Sequence, residues 1–231
     1  MCWGMIIRGM VFQQVRRWNW ELDLVNFAVK VSLTMTCLAT GTPSEDNCYA
    51  DIEAAFNYLV KEKGISPHQI VLYGRSVGSG PSCWLARKTA LNGNSVGGLI
   101  LHSPFASVYR VVLNFGFTVI GDKFPNIDNI KDVSCPVFIC HGRDDEVVPF
   151  RHGVELHSAV PEALQAKPFW MDDVGHNDHG PAAEVELMRN LNRYLDYHIL
   201  ARRLYLKPPQ SRLITPKRTK RSPFAGPRQE V

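Results

Sequence analysis

The sequence predicts an α/β fold, a mostly parallel sheet flanked by helices. Two observations predict it. From about Tyr49 onward, short apolar runs alternate with stretches of helical spacing. The runs themselves lack polar alternation, as strands buried on both faces do.

Taken in order, Ile52, Ala55, Phe56 and Leu59 recur at helical spacing and Gly64 follows as a stop. Residues 69–73 (QIVLY) read as a buried strand. A Gly-rich turn comes next, then a helix through Trp84, Leu85 and Lys88. Residues 96–101 and 136–140 (PVFIC) give two more strands, and 167–171 a further one. The apolar, aromatic segment 105–122 reads as an irregular cap or helix, and 150–159 as a helix. Residues 181–206 form the longest predicted helix, with Met188, Leu191, Leu195 and Ile199 on one face. The first 40 residues differ. Within them, 29–37 (VKVSLTMTC) alternates apolar and polar, which predicts a half-exposed strand. Three units follow: a divergent segment 1–40, a folded domain 41–206 and a basic tail 207–231.

The 231 residues fit one domain with extensions, and 45% hydrophobic residues suffice for a sizeable core. The net charge of +4 is uneven. Seven basic residues against Glu230 alone place the positive charge in 207–231 and leave the rest slightly acidic. That tail, rich in Pro, Ser, Thr and Arg, is expected to be disordered. It has few aromatics to stack on bases, so specific nucleic-acid binding is not expected. The six cysteines show no C-x-x-C spacing, which argues against a zinc site and fits a reducing compartment. No His/Cys/Asp set has metal-ligand spacing, and no cofactor is expected. The apolar start has no early positive charge and no A-x-A-like cleavage site, and no run of about twenty uncharged apolar residues occurs. The expected location is therefore the cytoplasm.

Gly74-Arg75-Ser76-Val77-Gly78 matches G-x-S-x-G, a sharp strand-to-helix turn that exposes a serine hydroxyl. A chance match somewhere in the chain has a probability of roughly 0.1 from residue frequencies. Here an apolar strand precedes the motif and a helix follows. Serine needs a base, and in such folds the partners follow in the order Ser, Asp, His. Asp144 or Asp145, in the loop after the PVFIC strand, could orient that base. Gly175-His176-Asn177 follows the last strand, and His176 is the candidate base, with His179 as its rival. His102 and His141 end strands and read as structural hydrogen-bonders. The backbone N–H of Val77 is placed to stabilise a tetrahedral oxyanion.

These residues resemble the α/β-hydrolase domain-containing protein 17 family, the protein depalmitoylases. The resemblance covers about residues 41–195. It rests on Tyr49-Ala50-Asp51-Ile52-Glu53-Ala54-Ala55, the Gly74 to Gly78 elbow and Leu101-His102-Ser103-Pro104. It also rests on Phe124-Pro125-Asn126-Ile127-Asp128, His141-Gly142 with Asp145-Glu146-Val147, and Gly175-His176-Asn177. The resemblance implies the α/β-hydrolase fold, with Ser76 as nucleophile, Asp145 as acid and His176 as base. It implies hydrolysis of S-acyl thioesters on S-acylated proteins, a palmitoyl-protein thioesterase-like activity with peripheral contact at the cytoplasmic face of membranes. The chain departs from the family at its start. Only Cys2 stands where the family has a palmitoylated cysteine cluster. No histidine precedes His68, so the family's His-Gly loop, source of a second oxyanion donor, has no counterpart. The N-terminal strands are accordingly expected to be incomplete. The alternative reading is a catalytically impaired relative that binds partners.

Overall fold

The computed structural model describes residues 10–13, 30–33, 44–113 and 121–201. The tail 207–231 and most of segment 1–40 lie outside them. Six strands form one sheet in the order β1-β2-β3-β4-β5-β6. They are β1 (Met10–Gln13), β2 (Lys30–Leu33), β3 (Val71–Arg75), β4 (Gly98–His102), β5 (Val137–Gly142) and β6 (Phe169–Met171). β1 and β2 are antiparallel, and every pairing from β2 to β6 is parallel. The strand expected at 29–37 is shorter, Lys30–Leu33. It lies inside the sheet and joins β3 at the register Val31 to Leu72.

The helices are α1 (Glu45–Asn57), α2 (Ser79–Leu91), α3 (Val108–Leu113), α4 (Asn126–Asn129), α5 (Arg151–Ala159) and α6 (Pro181–Tyr194). Ser44 caps α1, its Oγ accepting the Asn47 N–H at 3.1 Å, and Glu45 and Asp46 complement the first-turn dipole. α1 runs on into a π-helical turn over Tyr58–Glu62 and the chain turns at Gly64, whose φ is +66°. The cap expected at 105–122 contains α3, and the remainder of that segment is only partly within the described residues.

Alternating strand residues feed two cores. Leu72, Leu99, Leu101, Val137 and Ile139 face Ile52 and Phe56 of α1, Cys83, Leu85 and Ala86 of α2, and Leu156 of α5. Val71, Ile100, Phe138 and Cys140 face α6. The period of two explains why the strands are apolar throughout: neither face meets water. Each fully buried Leu or Ile contributes about 1.5–3 kcal/mol.

α6 corrects one expectation. Leu187 and Tyr194 form its buried face with Leu191 and Leu195, and Met188 is not part of that cluster. Tyr194 packs against the sheet at Gly98, where a Cβ would collide with its hydroxyl, and donates that hydroxyl to the Pro136 carbonyl at 2.8 Å. A π-helical turn, Leu195–Leu200, continues the helix.

Strand bounds also differ: β4 runs from Gly98 to His102 where 96–101 was expected, and β6 starts at Phe169 where 167 was expected. β3 begins at Val71 rather than residue 69, because Pro67–Gln69 forms a 3-10 turn with Pro at its start. β5 continues two residues past Cys140, since His141 and Gly142 pair with Trp170 and Met171.

Candidate active site

Parallel register brings the carboxyl ends of β3, β5 and β6 to one edge of the sheet. Arg75 pairs with His102, His102 with Cys140, and Cys140 with Phe169. The loops after these strands therefore meet, as they do at the carboxyl ends of parallel sheets generally.

The first loop is the elbow. Ser76 has φ of +49°, a left-handed conformation that costs a non-glycine residue about 1–2 kcal/mol. A short 3-10 turn, Ser76–Gly78, leads directly into α2. A Cβ on Gly74 would sit 2.6 Å from the Gly78 carbonyl oxygen and 2.8 Å from Ser79 Cα. Only glycine lets β3 and α2 approach this closely. A small network holds the strained serine. Ser79 Oγ donates to the Ser76 carbonyl at 2.6 Å, and Asn126 Nδ2 donates to Ser79 Oγ at 3.1 Å and to the Phe105 carbonyl at 2.9 Å. The half-buried Val77 lies in the first turn, where N–H groups have no partner within the helix.

The second loop follows β5 and separates the two aspartates. Asp144 is exposed. Asp145 is buried and its Oδ1 accepts the N–H groups of Val147 at 3.0 Å and Val148 at 2.7 Å. Its Oδ2 accepts from His176 Nδ1 at 2.8 Å and faces His141 Nε2 at 3.3 Å. Burial pushes the Asp145 carboxyl up, but the hydrogen bonds from His141, Val148 and His176 outweigh it and hold it well below the usual carboxylate range.

The third loop follows β6. It is drawn against the second by Gly142, where a Cβ would collide with the Val174 carbonyl, and by the Asp144 N–H donating to that carbonyl at 3.2 Å. His176 is buried, with Nε2 3.0 Å from Ser76 Oγ. Asp145 accepts at Nδ1, so the proton sits there and Nε2 is left to accept from the serine. The structure thus brings Ser76, Asp145 and His176 into one hydrogen-bonded chain. His179 stands apart from it: its Nε2 donates to the His176 carbonyl at 3.2 Å and its ring packs on His102 at 5.0 Å.

The two strand-end histidines are hydrogen-bonded within the fold. His102 Nδ1 lies 2.7 Å from the Tyr73 hydroxyl, and burial, aided by His179, lowers its pKa to about 3. His141 Nε2 lies 2.9 Å from the Val148 carbonyl. Both neighbours of His141 Nε2 are acceptors, so that nitrogen carries the proton. Cys48, Cys83, Cys135 and Cys140 are free. Burial pushes the Cys83 and Cys140 thiols up, which leaves them inert. Among the described residues no group of three or more His, Cys, Asp or Glu could hold a metal ion, and no helix is long and apolar enough to cross a membrane.

Four further side chains support the site, of which only His141 was expected from the sequence to be a structural hydrogen-bonder. Asn126 braces the elbow, His141 braces Asp145, and Arg75 and Glu146 reach the backbone of His176. Arg75 Nη2 donates to the His176 carbonyl at 2.5 Å, and Glu146 Oε2 accepts the His176 N–H at 3.1 Å. Arg75 fills the unrestricted second position of G-x-S-x-G, so its identity carried no local signal.

The chain matches the phospholipase/carboxylesterase family over residues 46–199. It is 43% identical over 154 residues to α/β-hydrolase domain-containing protein aho-3 of Caenorhabditis elegans, covering 66% of this chain and 44% of that protein. It is 41% identical over 142 residues to human α/β-hydrolase domain-containing protein 17C, covering 61% of this chain and 41% of that protein. These matches span less than half the length of either relative. Among solved structures, an α/β-hydrolase from Vibrio vulnificus superposes with a TM-score of 0.53 at 25% identity, over 68% of this chain and 58% of the other. A sugar hydrolase from Lactococcus lactis superposes with a TM-score of 0.56 at 19% identity, over 73% of this chain and 74% of the other, and shares the fold. A family match over two thirds of the chain places it, and relatives at 41% and 43% identity support the α/β-hydrolase domain-containing protein 17 branch: the chain belongs to the phospholipase/carboxylesterase family of α/β-hydrolases.

Proposed function

We propose that this protein is a serine hydrolase that cleaves acyl thioesters and esters, with S-acylated proteins at the cytoplasmic face of membranes as its substrates. One observation carries the reaction class: Ser76 Oγ, His176 and Asp145 are joined at 3.0 and 2.8 Å on a strained elbow. The resemblance to the depalmitoylase family motivates the substrate class.

In this reading Ser76 Oγ attacks the acyl carbonyl while its proton passes to His176 Nε2. The Val77 N–H donates to the tetrahedral oxyanion. Collapse expels the thiol or alcohol, which takes the proton from His176, and leaves an acyl-serine. Water, deprotonated by His176, then attacks the acyl-serine. The carboxylic acid departs and Ser76 regains its proton. Asp145 stabilises the imidazolium and fixes its tautomer.

A fluorophosphonate probe tests the reaction class. The 231-residue protein should be labelled and Ser76→Ala should not be. A folded protein that resists labelling would refute the reading. Release of palmitate from an S-palmitoylated peptide, faster than from the oxygen ester of the same acid, tests the substrate class.

A second reading rests on the missing His-Gly loop. The described elbow offers one oxyanion donor, Val77, and loss of the other typically costs on the order of 10²–10³ in kcat. The protein would then be a catalytically impaired relative that binds acylated partners. Ester turnover by the purified protein rules this out.

A further inference from the structure

We infer that Arg75 and Glu146 are positioning residues that clamp the backbone of His176 from opposite sides and so set the reach of the base to Ser76. This inference rests on the serine-hydrolase reading. His176 is held by its side chain at two atoms, as described, but its main chain is held as well. Glu146 Oε2 accepts the His176 N–H at 3.1 Å. Arg75 Nη2 donates to the His176 carbonyl at 2.5 Å and to Asn177 Oδ1 at 3.2 Å. The N–H and the carbonyl flank the Cα about which the imidazole pivots. Both bonds involve an ionised side chain, the stronger class of hydrogen bond.

The two clamps come from the two loops that matter. Arg75 directly precedes Ser76, and Glu146 directly follows Asp145. Each arm therefore ties the base to one of its partners: the elbow at a sequence separation of 101 and the acid loop at 30. Gly175 makes room for the second arm, since a Cβ there would lie 2.8 Å from Glu146 Oε2. Backbone N–H bonds, its own and that of His176, hold the Glu146 carboxyl below its ordinary range, so it is an ionised acceptor at neutral pH. Both side chains are exposed at the surface, where a residue with no task tolerates replacement.

The test compares paired variants: Glu146→Ala with Glu146→Gln, which keeps an acceptor, and Arg75→Met with Arg75→Lys, which keeps a donor. Two readouts are taken, the fluorophosphonate labelling rate and the downfield proton resonance of His176 Nδ1–H on Asp145. Glu146→Ala and Arg75→Met should label about 10- to 100-fold more slowly, the cost of a base displaced by a fraction of an ångström to about 1 Å. Their downfield resonance should broaden or vanish. Glu146→Gln and Arg75→Lys should recover most of the rate and the resonance. Wild-type rate and resonance in the first pair overturn the inference, and so does equal damage in both members of each pair. Should Glu146→Ala not fold, the Arg75 pair decides, because Met keeps the aliphatic stem. An unlabelled wild-type protein would refute the hydrolase reading alone, and the resonance would still decide the clamp.

Discussion

His141 Nε2 lies 3.3 Å from Asp145 Oδ2, the same carboxylate oxygen that receives His176 Nδ1–H at 2.8 Å. One oxygen thus accepts from two imidazoles, one that reaches the serine and one that does not. The buried carboxylate stays ionised because these N–H groups and the Val148 N–H outweigh its desolvation.

Removing His141 should therefore be felt in acid. A carboxyl whose folded pKa lies below its unfolded value, near about 3.9, adds stability above that pH and loses it as pH falls through the folded value. Asp145 is such a group. In His141→Leu its folded pKa rises, so the loss begins at higher pH. Thermal melts across the acid range should show the acid limb displaced upward. The baseline should also fall by about 1–3 kcal/mol, because the buried Val148 carbonyl loses its donor. Melting curves that stay parallel to wild type at all pH values would show that His141 does not act on Asp145.

The strain at Ser76 predicts an opposition between stability and activity. Its φ of +49° suits glycine better than any L-residue. Ser76→Gly should be more stable than Ser76→Ala by about 1 kcal/mol, the relief of a left-handed conformation less the added chain entropy. Neither variant should be labelled by a fluorophosphonate. Urea titration of the two side by side measures the difference, and equal midpoints would show that the elbow relaxes when the hydroxyl is removed.

Gly74→Ala should damage both stability and activity. The new Cβ meets backbone, the Gly78 oxygen at 2.6 Å and Ser79 Cα at 2.8 Å, which cannot rotate away. Such overpacking costs about 1–3 kcal/mol and shifts the elbow. Gly93→Ala is the control. Gly93 has a φ of +70° but nothing within 4 Å of its Cβ position, so only the conformational cost of about 1–2 kcal/mol applies and labelling should be normal. Denaturation and labelling of both variants separate crowding from strain.

The sheet and the elbow were legible in the sequence because both rest on local signals. Apolar runs such as 136–140 are buried on both faces, and G-x-S-x-G constrains five adjacent residues. Strand ends were less legible. β3 yields its first two predicted residues because a Pro-led turn stops them from extending, and β5 gains two because β6 is there to pair with them. The choice between Asp144 and Asp145 was open from residue type alone. It is decided by burial and by which carboxylate meets a loop 31 residues away. Arg75 and Glu146 were not legible as supports, and His141 was legible as a structural hydrogen-bonder but not as a partner of Asp145, since each acts through a group whose proximity only the fold creates.

The two histidines of the last loop give the sharpest test of the site. His176 Nε2 is 3.0 Å from Ser76 Oγ, whereas His179 Nε2 bonds the His176 carbonyl at 3.2 Å. His176→Ala removes the acceptor for the serine proton and should lower turnover by about 10⁴-fold or more. His179→Ala removes one of two donors to a carbonyl that Arg75 still holds. A single neutral hydrogen bond is worth about 0.5–1.5 kcal/mol, so the loss should not exceed about tenfold. Ester turnover measured for both variants decides between them. A collapse of activity in His179→Ala comparable to that in His176→Ala would mean that the base is not His176 alone.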